Sequence, residues 1–302
     1  MKILKNEINK ITGNLIRAFL VLLLALGMGP PSEAQVSDPN SSASNNQLSL
    51  PIKTLLPKEE KPSVLSISGQ LSNESNLVSG TSPYRASQTT LILAPSLKMG
   101  DAVISAKSEI SKAGEKEEKL SVSDTRFTLT HTPLALTDYL SARGKINYIL
   151  PTNEDSIEKD RLKSAASIEP SIKQDLRVWS LPATIEYRLG YRQNVHEYNV
   201  NASGDANIQW TLSQVLEAGI EIIDSLELSI SGIWQSARTY KNFERSKFII
   251  SEELRYGVTK NWNLFVGHSN EGSLQPAERQ GSTIKAFDEK SSVISAGLGF
   301  DF

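Results

Sequence analysis

Residues 206–222 read ANIQWTLSQVLEAGIEI. Ala206, Ile208, Trp210, Leu212, Leu216, Ala218, Ile220 and Ile222 share one face of an extended chain, and Asn207, Gln209, Thr211, Ser213, Glu217 and Glu221 share the other. Side chains of a strand alternate between its faces, so this period of two predicts a strand. Gln214 is the single breach on the apolar side. Strands of soluble domains mostly run to about five or six residues. One of this length needs a tall apolar wall beside it.

The same alternation extends in both directions along the chain. ATIEYRLGY sets Ala183, Ile185, Tyr187, Leu189 and Tyr191 against Thr184, Glu186 and Arg188. LELSISGIW sets Leu226, Leu228, Ile230 and Trp234 against Glu227, Ser229 and Ser231. LSARGKINYIL sets Leu140, Ala142, Ile146, Tyr148 and Leu150 against Arg143, Lys145 and Asn147. Weaker alternation covers 64–71, 88–97, 102–111, 121–134, 163–173, 246–258 and 262–270. Glu252 falls on the apolar phase of its segment, which a bulge would explain.

Short turns join these segments in pairs: KMGDA, LTDYL, KQDLR, IIDSL and TKNWN, marked by Asp101, Asp138, Asp175, Asp224 and Asn261. Asp and Asn suit turns because their side chains bond nearby backbone groups. Longer polar stretches separate the pairs. Counting from residue 63 to the end gives twelve strands, an even number.

A β-sandwich with one wet face would also alternate. Three features favour a membrane barrel. Short turns and long polar loops alternate strictly, as in transmembrane barrels. The polar phase carries charge in strand interiors. Aromatic residues gather near strand ends, with Tyr139, Trp179, Tyr256, Trp262, Phe300 and Phe302 on the turn side and Tyr148, Tyr191 and Trp234 on the loop side. Amphipathic rings favour membrane interfaces. The chain ends in SSVISAGLGFDF, where Ile294, Ala296, Leu298, Phe300 and Phe302 share a face. This ending resembles the C-terminal strand of bacterial outer-membrane β-barrel proteins, a terminal aromatic preceded by alternating apolar residues. The resemblance implies a location in the bacterial outer membrane. It also implies that Ile294, Leu298, Phe300 and Phe302 form a signal read by the barrel-assembly machinery. The expected fold is therefore all-β, one antiparallel up-and-down barrel over 63–302 with outer-membrane lipid around it.

The N-terminus agrees with export. Lys2, Lys5, Lys10 and Arg17 precede the apolar run AFLVLLLALGMG, followed by PPSEAQ with Ser32 and Ala34 in a cleavage pattern. This reads as a signal peptide over 1–34. The apolar run is shorter than the ~20 residues of a spanning helix. Residues 35–62 are rich in Ser, Asn, Pro and charge, which predicts a flexible periplasmic leader. The formal charge of -2 gives no case for a nucleic-acid partner, and the lack of cysteine excludes disulfides, thiolate metal sites and a cysteine lipid anchor.

With the polar phase turned inward, the first seven strands contribute Lys107, Arg126, Arg143, Lys145, Lys163, Lys173, Arg188 and Arg192 against Glu109, Glu169 and Glu186. The last five contribute Glu217, Glu221, Glu227, Glu253 and Asp301, with Arg255 as the lone cation. A basic wall would face an acidic one. That predicts a narrow passive channel with a transverse field acting on small polar or charged solutes. A non-conducting structural or surface-interaction barrel, its lumen closed by salt bridges, is the second reading. An outer-membrane enzyme is the third. In GHSNEG, His268 and Ser269 are adjacent and point to opposite faces, whereas the outer-membrane phospholipase family keeps one residue between its His and Ser. His131 has no carboxylate near in sequence, and His196 is expected in a solvated loop. Three scattered histidines predict no metal site, and no phosphate-binding glycine motif or cofactor is expected.

Overall fold

The computed structural model describes residues 64–77, 86–114, 120–273 and 291–302. The expected signal peptide (1–34) and leader (35–62) lie outside the described residues. The strands are β1 (Leu65–Asn76), β2 (Ser87–Met99), β3 (Ala102–Ala113), β4 (Leu120–Val122), β5 (Thr125–His131), β6 (Leu134–Thr137) and β7 (Leu140–Leu150). They continue as β8 (Leu162–Val178), β9 (Leu181–His196), β10 (Ile208–Ile223), β11 (Leu226–Thr239), β12 (Glu244–Gly257), β13 (Trp262–Ser273) and β14 (Ser292–Asp301).

Successive staves pair antiparallel, and β14 returns to β1 with Ser68 opposite Asp301 and Asn76 opposite Val293. The sheet closes on itself. β4, β5 and β6 are three pieces of one stave, so the barrel has twelve. That stave is broken where Asp124 turns away to the loop side and again at Pro133. Proline has no N–H to give a ladder. Thr132 N donates instead to Asp101 O at 2.8 Å.

Apolar residues cover the outside. Ile67, Leu71, Leu93, Leu97, Ile104, Leu129, Ile146, Ile168, Leu189, Ile230, Leu264 and Val266 are all exposed. Water would oppose such a wall, and lipid favours it. In lipid every backbone polar group must be paired internally, which a closed barrel achieves. Phe300 lies over Gly69 at the closing seam, where a Cβ would strike its ring. Trp262 and Phe302 pack beside it with ring centroids 5.6 Å apart.

One expected turn is displaced. Asp175 was expected to mark the turn after the sixth stave, but β8 runs on to Val178 and the chain reverses at Trp179 and Ser180. Asp175 is a strand residue whose carboxylate accepts a 2.9 Å ion pair from Lys173. Trp179 (φ 48°) and Ser180 (φ 74°) both take the left-handed conformation. That is the geometry of a two-residue hairpin turn, most often served by Asn-Gly. Glu252 is not in a bulge either, because the registers of β12 with β11 and β13 run through it unbroken.

Staves β8, β9 and β10 have 17, 16 and 16 residues, and the β8–β9 hairpin outruns its neighbours at both the loop end and the turn end. At the loop end an ordered cap ties Asp124, between β4 and β5, to the β7–β8 loop, and ties that loop to the β9–β10 loop. Asp124 Oδ1 accepts from the backbone of Thr152 and Asn153, both at 3.1 Å, and Oδ2 from Ser156 Oγ at 2.8 Å. Asn207 Nδ2 donates to the carbonyls of Asp160 and Tyr198, both at 2.9 Å. Asp160, half-buried here, is held above the usual carboxylate range by desolvation, partly offset by Lys159.

Candidate functional site

The inner wall is set by the phase of each strand. On β7 and β8, Asn147 Nδ2 donates to Ser167 Oγ at 2.8 Å and to Glu169 Oε1 at 2.7 Å. Thr128 Oγ1 on β5 donates to Asn147 Oδ1 at 2.7 Å. These contacts fix which face of β5, β7 and β8 looks inward. From them the registers carry the phase around the barrel.

Lys107 and Arg126 stand opposite each other on β3 and β5, with Glu109 beside Lys107. Lys145 faces Glu169 across β7–β8 and lies within electrostatic reach of Arg143, Arg188 and Glu186. Arg188 Nη2 reaches Glu186 at 3.5 Å on its own strand and Glu217 at 3.7 Å on β10. Arg192 Nε donates to Asn194 Oδ1 at 2.7 Å. Lys173 pairs with Asp175 near the turn end.

Lys163 leaves this set. A register shift between Leu162 and Ser164 turns Leu162 inward and buries it. Lys163 then points to solvent at the rim, 59% exposed, 3.3 Å from Glu197.

Glu217, Glu221 and Glu227 sit on β10 and β11, with Glu221 directly opposite Glu227. Glu227 folds over Gly219, where a Cβ would lie 2.9 Å from its carboxylate oxygen. Glu253 on β12 accepts from Arg255 Nε at 2.9 Å, and the Arg255 guanidinium lies 5.9 Å from the Phe265 ring centroid. Arg255 is not the lone cation of these last staves. β12 starts earlier than expected, at Glu244, which adds Arg245 to this phase; Lys247, already within the expected segment, was overlooked and pairs with Glu271 at 3.0 Å.

Sequence reasoning also missed Glu74, because β1 continues past the expected end at residue 71. It missed the inward apolar residues as well. Ile92, Ile149, Val215, Ile233 and Phe265 are on the inner phase and buried. They share the inner wall with Arg188, Glu253 and Arg255, which are buried too.

The histidines stand apart. His131 is exposed on the outer phase, its Nδ1 2.7 Å from Thr132 O. His196 is not in a loop. It ends β9 and packs edge-on against Tyr240, ring centroids 5.7 Å apart. His268 faces outward and Ser269 inward. Among the described residues no cluster of His, Asp and Glu is placed to hold a metal.

No family model and no curated protein sequence matches the chain. Solved structures do. An outer membrane channel from Pseudomonas putida F1 superposes with a TM-score of 0.55 at 8% identity, over 80% of this chain and 97% of that one. The NanC porin gives 0.47 at 14% identity, over 78% and 98%, and the KdgM porin 0.44 at 10%, over 78% and 99%. The chain shares the closed antiparallel β-barrel fold of these outer-membrane proteins. In such barrels the short turns face the periplasm and the long loops the exterior. The cap built on Asp124, Ser156 and Asn207 is at the loop end of the barrel, and Phe302 is at the turn end. Other structural neighbours are a translocator domain of an autotransporter and OmpT, an outer membrane protein of Vibrio cholerae.

Proposed function

We propose that this barrel is a narrow passive channel for small polar or charged solutes. The observation that carries the reading is the inner wall itself. Charged side chains of both signs line it from Lys173 and Asp175 at the turn end to Arg126 and Arg192 toward the loop end. A barrel filled by packing alone has no use for charge along its whole height. The cations concentrate on β3 to β9 and the carboxylates on β10 and β11, with Arg245, Lys247 and Arg255 beside Glu253 on β12, so a solute passing between β3–β9 and β10–β11 meets a transverse field. The channel-like fold of the Pseudomonas putida protein supports this reading. The proposal includes no catalytic group, since the three histidines sit apart, on β5, β9 and β13. It includes two partners: lipid around the apolar wall and the assembly machinery at the terminal strand.

The test is conductance of the purified barrel in planar bilayers. Discrete steps are expected. Arg143→Glu with Lys145→Glu should move selectivity toward cations, because wall charge sets the local ion concentration.

A second reading, a closed barrel whose capped loops bind a surface partner, draws on the burial of Arg188, Glu253 and Arg255. Under it the wild type is silent. The double substitution then destabilises the fold, since the new carboxylates face Glu169 and Glu186.

A further inference from the structure

The outer wall is not uniformly apolar. Glu252 on β12 and His268 on β13 are direct cross-strand partners on the outward phase, with Oε2 and Nδ1 3.8 Å apart. Half of the Glu252 side chain is exposed. Tyr256 lies two pleat repeats below on the same face, and the cross-strand pair of Trp234 and Phe248 lies two repeats above. The pair therefore sits within the apolar band and not at either aromatic girdle. Following the registers across the tilted staves places Gln214, Gly232 and Ala296 at about the same depth, again pointing outward. Gln214 takes a hydrogen bond from Tyr187 Oη at 3.2 Å. Around the rest of the circumference this depth is filled by Leu71, Leu93, Leu129, Ile146 and Leu189.

A carboxylate and an imidazole facing hydrocarbon are costly, and ionisable groups at this depth mark functional contacts. The pair is framed by Ile230 and Ile294, its direct partners on β11 and β14, while the Trp234 ring lies over Gly232; diagonally beside His268, Ala296 is small enough to let another backbone come close. The geometry points to a contact face for a second copy of this chain. The pair carries an acid on β12 and a base on β13. A two-fold axis along the membrane normal, passing near these two staves, sets Glu252 of one copy against His268 of the other and His268 against Glu252. The patch is thereby self-complementary, as a two-fold interface requires. Acyl chains offer neither group a partner.

The chain has no cysteine, so a single thiol can be placed at will. Val266, beside the pair and exposed, is near the proposed axis, and Leu129 is an exposed outward residue on the far wall. Val266→Cys and Leu129→Cys variants of the full chain are treated with a bismaleimide in isolated outer membranes. A cross-linked dimer at Val266→Cys and its absence at Leu129→Cys is the expected result. Adding Glu252→Leu should abolish the dimer band while the barrel keeps its heat-modifiable gel mobility. If that variant does not fold, Glu252→Gln replaces it. No dimer at Val266→Cys, equal dimer at both positions, a cross-link to a different protein, or a dimer that survives the loss of Glu252 would each overturn the proposal.

Discussion

Glu253→Gln tests how dry the inner wall is beside β12. Arg255 is bound to Glu253 through Nε and Nη2, and the two side chains are 6% and 10% exposed. The amide keeps the shape of the carboxylate and removes its charge. Arg255 then remains buried, with Phe265 against its guanidinium. Breaking a buried pair from one side costs about 3–5 kcal/mol. Glu227 stands opposite Arg255 across β11–β12 and keeps part of the compensating field. The expected loss is therefore at the lower end, about 3 kcal/mol. Glu253→Gln with Arg255→Met should recover most of it, because no buried charge is left. The rim pair of Lys163 and Glu197, 59% and 41% exposed, is the contrast. There Glu197→Gln should cost less than about 1 kcal/mol. The assay is equilibrium urea unfolding of barrels refolded into lipid vesicles, followed by tryptophan fluorescence. A Glu253→Gln barrel as stable as the Glu197→Gln one would refute the reasoning and make this part of the wall wet.

Two further outcomes follow from the turn and the terminus. Ser180→Gly should raise stability by about 1 kcal/mol in the same assay, because a left-handed conformation costs a residue with a Cβ about 1–2 kcal/mol that glycine avoids and Ser180 holds φ 74°. Deleting Phe302 removes its two backbone bonds with Ile67, 2.8 and 3.0 Å, and its packing on Trp262. Folded, heat-modifiable barrel in the outer membrane should then fall more than it does for Phe302→Ala, which keeps the backbone bonds.

The twelve staves and their phase were legible because lipid on one side and charge on the other impose a strict alternation, as in residues 206–222. Gln214 read as a breach for the same reason, and its hydroxyl partner Tyr187 sits on the neighbouring strand, where sequence shows no link. The turn at Trp179 and Ser180 was illegible. Neither residue type signals a left-handed turn, and Asp175 gave the usual turn signal while serving as an ion-pair partner. Lys163 was misplaced because a register shift reverses the phase without any mark in composition. The inward Ile92, Val215 and Phe265 went unseen since a wet lumen was expected to carry polar groups alone. Glu252 was visible as an exception on the apolar phase, but its partner His268 could be found only once β12 and β13 were in register.

The seam between β1 and β14 also dictates how this protein comes into being. Ser68 meets Asp301, so the first stave finds its second neighbour only in the last residues of the chain. A product truncated before β14 would present two raw strand edges to hydrocarbon, where each unpaired backbone group costs several kcal/mol. No partial barrel is a stable membrane resident, and insertion becomes an all-or-none event that waits for the finished polypeptide. Contacts this distant in sequence also close slowly. The unfinished chain must therefore be kept in solution, away from its own kind, until both ends are available to meet.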